Sequence, residues 1–257
     1  MKTDLSDVTF ILLVRIDSIE RLENILLVTN YLMDNFHTHV YIYEADKYSN
    51  HILQKTLKKK IRYQFVEDED YILHKTKYYN QMANKINTKF IAIWDTDIIA
   101  EKKYILECVK RLRENKADMG IPYNGVCLNT SIPVRELFIK KKKIKILCKY
   151  KERMEILHHR SLVGGAVIMN KEKYIEAGLE NELFYGWGDE DFNRFHQFRN
   201  RKFIIYRSKN ILYHLSHPRN ENSTYCNELQ VHISKNELNR TYKSSYMELN
   251  QSQKNSL

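Results

Sequence analysis

Proline and glycine are scarce. Three prolines and seven glycines in 257 residues leave little room for long flexible linkers, which argues against a string of loosely tethered domains. Cysteine is scarce too: Cys108, Cys127, Cys148 and Cys226 form no CxxC pair, so neither a zinc ribbon nor a compact disulfide framework is expected, and reduced thiols in a cytoplasm are the simpler reading. No apolar run approaches the roughly eighteen residues of a membrane span. The short run Phe10 to Val14 follows Asp4 and Asp7 and lacks a small-residue cleavage site, so it reads as a first strand and not as an export signal. No internal repeat is present, and acids are in deficit. The 42 Lys and Arg exceed 32 Asp and Glu for a formal +10, which favours anionic company: sugar nucleotides, acidic lipid head groups or nucleic acid. What is present is the composition of a folded protein, 43% hydrophobic and 29% charged.

The first half alternates strand-like and helix-like segments: "VTFILLVR", Ile19 to Met33, "HVYIYE", "IRYQFV", Lys75 to Asn87, "FIAIWD" and Lys102 to Glu114. Such alternation predicts an α/β fold with a mostly parallel, doubly wound sheet and helices on both faces. Ligands of such sheets bind beyond the carboxyl ends of the strands, an edge that here collects Arg15 with Asp17, Glu44 with Asp46, and Asp95 with Asp97. Residues 116–160 are less regular and include "FIKKKKIKILCKYKERMEI", which reads as a solvated basic helix or loop, with contact to an anionic membrane through 140–151 as the sharper alternative. "SLVGGAVIMN" reads as a strand opened by two glycines, and the polar tail 224–257 as a loose helix or a partly disordered segment.

Three stretches can carry chemistry. "FIAIWDTD" ends a fully apolar strand on two carboxylates, which need a cation, a helix N-terminus or solvent, because unpaired charge is costly to bury. Asp-x-Asp at a strand end can hold a divalent cation on a diphosphate, or cap the helix predicted to follow. "YHLSHPR" spaces His214 and His217 three apart, a pair that is more often structural when alone but, beside an unexplained aspartate pair, offers mixed nitrogen and oxygen ligands that suit Mn²⁺ better than Mg²⁺, with Zn²⁺ a further alternative. "GWGDEDFNRF" places Trp187 between Gly186 and Gly188 and follows it with Asp189, Glu190 and Asp191. Acids in a first helical turn meet the helix dipole, and an indole with neighbouring carboxylates is also a platform for a sugar ring.

In order along the chain, "LHKTKYYNQMANKINTKFIAIWDTDII", "SLVGGAVIMNKEKYIEAGLENELFYGWGDEDFNRF" and "YHLSHPRNENS" resemble the GT-A-fold inverting glycosyltransferases, and more narrowly the β-1,4-galactosyltransferase and chondroitin-polymerase-like group and bacterial glycosyltransferases of capsule biosynthesis. The resemblance covers segments from about Phe10 to Ser223 and leaves the basic insert and the tail uncovered. It implies one GT-A domain over 1–223, with a nucleotide-sugar half at 1–115, the basic insert at 116–160 and an acceptor and metal half at 161–223. It implies Mn²⁺ on Asp97, His214 and His217, with Mg²⁺ the second choice, and Asp95 facing the ribose. Asp191 would be the catalytic base and Glu190 the holder of the acceptor sugar, with Gly165, Trp187 and Gly188 lining the acceptor pocket. Arg15, Asp17, Glu44, Lys75 and Asn80 fall where the family contacts uridine diphosphate. Three positions depart from the animal enzymes: Asp17 replaces an arginine, Lys75 replaces an arginine, and Asp189 stands where glycine is frequent.

The resemblance therefore implies metal-dependent, inverting transfer of a hexose or N-acetylhexosamine, galactose type favoured, from a UDP-sugar to a glycan or lipid-linked glycan in bacterial capsule or lipopolysaccharide synthesis. The expected location is cytoplasmic or peripheral at the inner membrane face. Two other classes stand against it. A sugar nucleotidyltransferase would carry a glycine-rich phosphate loop after the first strand, and "LLVRIDSIERL" has no glycine. A non-enzymatic polyanion binder would explain the charge but leaves the ordered acids and histidines without a purpose, so nucleic acid is not an expected partner.

Overall fold

The computed structural model describes residues 2–254, with side chains described through residue 244. The last three residues of the polar tail predicted at 224–257 lie outside the described residues. The chain opens with β1 (Thr3–Val14), α1 (Ile19–Asn35), β2 (Phe36–Asp46), α2 (Ile52–Thr56), β3 (Arg62–Glu67), α3 (Lys75–Asn84) and β4 (Phe90–Trp94). It continues through β5 (Ile98–Ile99), α4 (Lys102–Arg113), β6 (Met119–Ile121), β7 (Cys127–Asn129), α5 (Ile132–Lys141), α6 (Lys145–Lys149), β8 (Glu155–Ile156) and β9 (Ala166–Asn170). It closes with α7 (Lys171–Ala177), α8 (Glu190–Asn200), β10 (Ile205–Arg207), β11 (Leu212–His214) and α9 (Glu228–Lys254).

A seven-stranded sheet runs in the order β10-β6-β9-β4-β1-β2-β3, every pair parallel except the two that flank β9. Every residue of β1 from Val8 to Val14 and all of "FIAIW" in β4 are buried, as expected of central strands covered on both faces. Helix α3 packs on β1 and α4 on β6, and one core joins both sheet and helices into a single compact α/β domain consistent with a GT-A-like fold.

The second sheet is what the strand-helix pattern did not reveal. Its four short strands run β5-β11-β7-β8, with β11 antiparallel to β5 and parallel to β7. The chain leaves the large sheet at Trp94 and enters the small one at Ile98, so Asp95-Thr96-Asp97 is the turn that joins them; Trp94 Nε1 donates to Ile98 O at 3.0 Å across it. Residues 116–160, set apart as an insert on composition, supply β6 to the large sheet and β7 and β8 to the small one. In the basic stretch itself, α5 stops at Lys142, whose φ of 51° turns the chain into α6, and Lys140 to Lys143 are exposed. The tail is helix α9 laid along α8, with Thr241 Oγ1 on Asn193 Oδ1 at 2.7 Å and Asn200 Nδ2 on Thr241 O at 2.7 Å.

Candidate active site

Because β1 and β4 are parallel, Arg15 and Asp95 emerge at one sheet edge; β9 runs the other way with Ala166 opposite Trp94, so Gly164 and Gly165 arrive at that edge from the opposite direction. Asp95 N–H donates to Gly165 O at 2.9 Å and closes the joint. A cleft enclosing about 1210 Å³, counting space open to solvent, lies beyond this edge. It is the location that parallel-strand topology favours.

One corner of the cleft is built by the small sheet. Register places His214 beside Asn129 on β7 and opposite Ile98 on β5, and Leu215 N–H donates to Asp97 O at 2.8 Å, which brings the turn and the strand end together. His214 Nε2 stands 3.6 Å and His217 Nε2 3.1 Å from the same oxygen, Asp97 Oδ2. One ligand atom from each residue lies within 4.8 Å of the others. Behind the rings, His214 Nδ1 faces Asn129 Oδ1 at 2.8 Å and His217 Nδ1 faces the Pro218 carbonyl at 2.7 Å. An oxygen acceptor behind Nδ1 fixes the proton there, so each neutral ring turns the lone pair of Nε2 toward the carboxylate. Two nitrogen lone pairs and an anion facing one point repel unless a cation stands among them, so the donor set fits a divalent metal with nitrogen and oxygen ligands. Burial opposes ionisation of Asp97, but with no cation between them the rings of His214 and His217, turning Nε2–H toward the carboxylate instead, outweigh it and hold the carboxyl well below its usual range.

The opposite corner is built from the loop before α8. Asp189 caps that helix from the left-handed region at φ 63°, and Gly188 before it has φ 125°, a backbone that an L side chain resists. Gly188 N–H donates to Glu190 Oε2 at 2.8 Å, and Lys75 Nζ stands 3.8 Å from Glu190 Oε1. Burial pushes Glu190 up to about 7, with Asp191 adding to the rise and Lys75 restraining it. Asp95 rises to about 6 by burial, restrained by Lys75 and assisted by Asp97 and Asp191. Burial would lower Lys75, yet Glu190, Asp95, Asp191 and Asp97 together keep it above its ordinary value, so it stays cationic.

Asp191 is held differently. Its Oδ1 accepts from Arg194 Nη1 at 2.7 Å, while the buried Arg194 is clamped by Glu180 through Nε at 2.6 Å and Nη2 at 3.1 Å, and Tyr174 donates to Glu180 at 2.7 Å. Its Oδ2 lies where a Cβ on Gly164 would stand, so the backbone glycine is what lets the carboxylate reach the cleft.

Of the residues singled out from sequence, Arg15, Asp17, Lys75, Asp95, Asp97, Gly165, Trp187, Gly188, Glu190, Asp191, His214 and His217 all line this cleft. Glu44 and Asn80 are not brought to it. Asn80 spends its amide on the 180–182 loop, donating to Glu180 O at 3.0 Å and accepting from Glu180 N at 2.8 Å, and Glu44 is buried under the hydroxyl of Tyr63 at 2.7 Å. Arg15 reaches the cleft with its guanidinium engaged by Ala45 O, Asp70 O, Tyr71 O and Asp68, each at 2.8 to 2.9 Å, so it fastens the 68–71 loop. Sequence reasoning missed Asn129, Gly164, Arg194 and Tyr225, whose hydroxyl donates to Asp189 and whose ring meets Trp187 edge-on at 5.6 Å. No local pattern marks Asn129, Gly164 or Tyr225; Arg194 alone had a signal, as an arginine one turn after three acids.

A family profile described as the N-terminal domain of galactosyltransferase matches residues 145–219. The matched stretch contains Gly164, the Trp187 to Asp191 loop, Arg194, His214 and His217, though not the Asp97 turn. Comparison with curated protein sequences finds no match. The profile supports a galactosyltransferase-like glycosyltransferase, for which a nucleotide-sugar donor and a glycan acceptor are the implied substrates.

Proposed function

We propose that the protein is an inverting, metal-dependent glycosyltransferase that moves a hexose or N-acetylhexosamine, galactose type favoured, from a UDP-sugar to a hydroxyl of a bacterial surface glycan. The observation that carries this reading is one cleft with two unlike corners: a His-His-Asp set fit for a cation, and a pair of carboxyls beside an indole. Asp97, His214 and His217 would hold Mn²⁺, whose chemistry there is to neutralise charge on a departing diphosphate. Asp95 orients the ribose, and Lys75 offers a point charge to phosphate. Trp187 supports the acceptor ring and Glu190 holds its hydroxyls. Asp191, fixed by Arg194 and aimed past Gly164, accepts the proton of the attacking hydroxyl as its oxygen bonds to the anomeric carbon and the bond to diphosphate breaks. No enzyme-bound covalent intermediate is needed for a single displacement with inversion.

No helix among the described residues is long and apolar enough to cross a membrane. The proposed site of action is cytoplasmic, with the basic 140–151 segment meeting the inner membrane face where a lipid-linked acceptor would lie. The test is a panel of UDP-sugars with Mn²⁺, scored for UDP release. Metal-dependent consumption of one donor is expected; failure of every donor together with no UDP binding overturns the reading.

A further inference from the structure

The charges lining the cleft do not cancel evenly. Asp17 is paired with Arg21 at 2.8 Å, Glu190 with Lys75 and Asp191 with Arg194, whereas Asp97 faces the two histidines, Asp189 faces the Tyr225 hydroxyl and Arg160, and Asp95 has no ion pair among the described residues. Arg15 is engaged by its own loop. Among the cationic side chains that line the cleft, Arg160 and Arg219 are the least engaged. Arg160 is half exposed, reaches Asp189 only at 3.5 Å, and lies over Phe192 with its guanidinium 4.6 Å from the ring centre. Arg219 is exposed and makes no side-chain hydrogen bond or ion pair with the described residues. His158, Arg160 and Arg219 all line this cleft, and burial, then the charges of Arg219 and Arg160, push the imidazole below its ordinary range. His158 in turn sits 6.3 Å from Trp187. Two guanidiniums with unspent donors therefore line the same cleft as the indole platform, Arg160 on the side occupied by Asp189 and Phe192.

We infer that Arg160, Arg219 and His158 form an anion subsite that recognises a carboxylate or phosphate group on the acceptor sugar stacked at Trp187. Calling that anion the acceptor's rests on the proposed transfer reaction. Guanidinium forks are suited to this, since two parallel N–H groups meet a carboxylate or phosphate in one plane. The alternative source of the same chemistry is the donor's diphosphate, which the experiment separates.

Trp187 is the indole open to the cleft, whereas Trp94 is 1% exposed, so intrinsic fluorescence reports ligands at this place. The full chain is titrated with methyl β-D-glucoside, methyl β-D-glucuronide and glucose 6-phosphate without donor, and then with UDP and Mn²⁺. One of the two acidic sugars is expected to bind about 10-fold or more tightly than the neutral one, in a salt-sensitive manner, and Arg160→Gln and Arg219→Gln should each bring the ratio toward one. Equal binding of all three sugars, or a preference that both variants retain, overturns the inference. So does loss of UDP affinity in both variants with the sugar ratio unchanged, which would assign the arginines to the donor. Charge-selective sugar binding without consumption of any UDP-sugar would sink the transferase reading and leave the subsite standing; turnover without charge selectivity would do the reverse.

Discussion

The two corners of the cleft handle negative charge in opposite ways. At the small sheet, Asp97 faces two imidazole Nε2 atoms, each ring backed by an oxygen at Nδ1, a donor set fit for a positive ion. At the helix α8 end, each carboxyl already has its own cation: Lys75 beside Glu190 and Arg194 on Asp191. The first corner rests on strand ends locked by register, the second on a loop with two successive left-handed residues, Gly188 and Asp189. A corner that must recruit charge suits a substrate that departs with negative charge. A corner with its charges pre-paired suits proton transfer to a neutral hydroxyl, since nothing need be recruited for the carboxylate to persist.

The contrast can be broken from either side. Asp191→Asn should cost about 10²- to 10⁴-fold in turnover while UDP binding stays intact, and Asp97→Asn should instead abolish Mn²⁺-dependent UDP binding. Near-normal turnover in the first variant removes Asp191 from the mechanism. Gly164→Ala adds a methyl where the Asp191 carboxylate lies. Displacement of a reacting group by about 1 Å can cost roughly 10²-fold, so turnover should fall by about that much with metal affinity unchanged. Steady-state kinetics alongside Mn²⁺ titration distinguish this from misfolding, which would take both. Asn129→Leu removes the oxygen behind His214 Nδ1 and should weaken Mn²⁺ binding by about 10- to 100-fold. Calorimetric titration that finds wild-type affinity would show that the ring does not depend on Asn129.

Local patterns exposed the parts of this site that are local. The buried run of β4 declares both a strand and the anomaly at its end, because two acids after five apolar residues need a reason. The His-x-x-His and Gly-Trp-Gly stretches are likewise short-range. The small sheet was not legible, since β5, β7, β8 and β11 are two or three residues each, too short for a period-2 signal. Asn129 acts on His214 only through the β7 to β11 register, 85 residues apart, and Gly164 matters only because α8 delivers Asp191 against it. Asn80 and Glu44 illustrate the converse. Both occupy positions that resemble donor contacts, yet Asn80 is consumed in holding the 180–182 loop and Glu44 in a bond from Tyr63, partners that tertiary packing alone assigns.

The smallest expected effect is on stability, and it isolates Glu190. A carboxyl whose folded pKa is raised binds its proton more tightly in the folded chain than in the unfolded one. Its contribution to stability is fully present below the unfolded value near 4.5 and is lost as pH rises through the folded value of about 7. Glutamine carries no charge at any pH, so Glu190→Gln should be close to neutral at pH 4.5 and should gain relative to wild type up to about pH 8. The gain is on the order of 1–3 kcal/mol before relaxation of Lys75, whose partner is removed, and corresponds to a few degrees in thermal midpoint for a chain of this size. Thermal melts at pH 4.5, 6 and 8 read it directly. A constant offset between variant and wild type across that range would mean that Glu190 ionises as freely in the fold as in solvent. The corner at α8 would then not be the pre-paired, desolvated one that its contrast with the histidine corner requires.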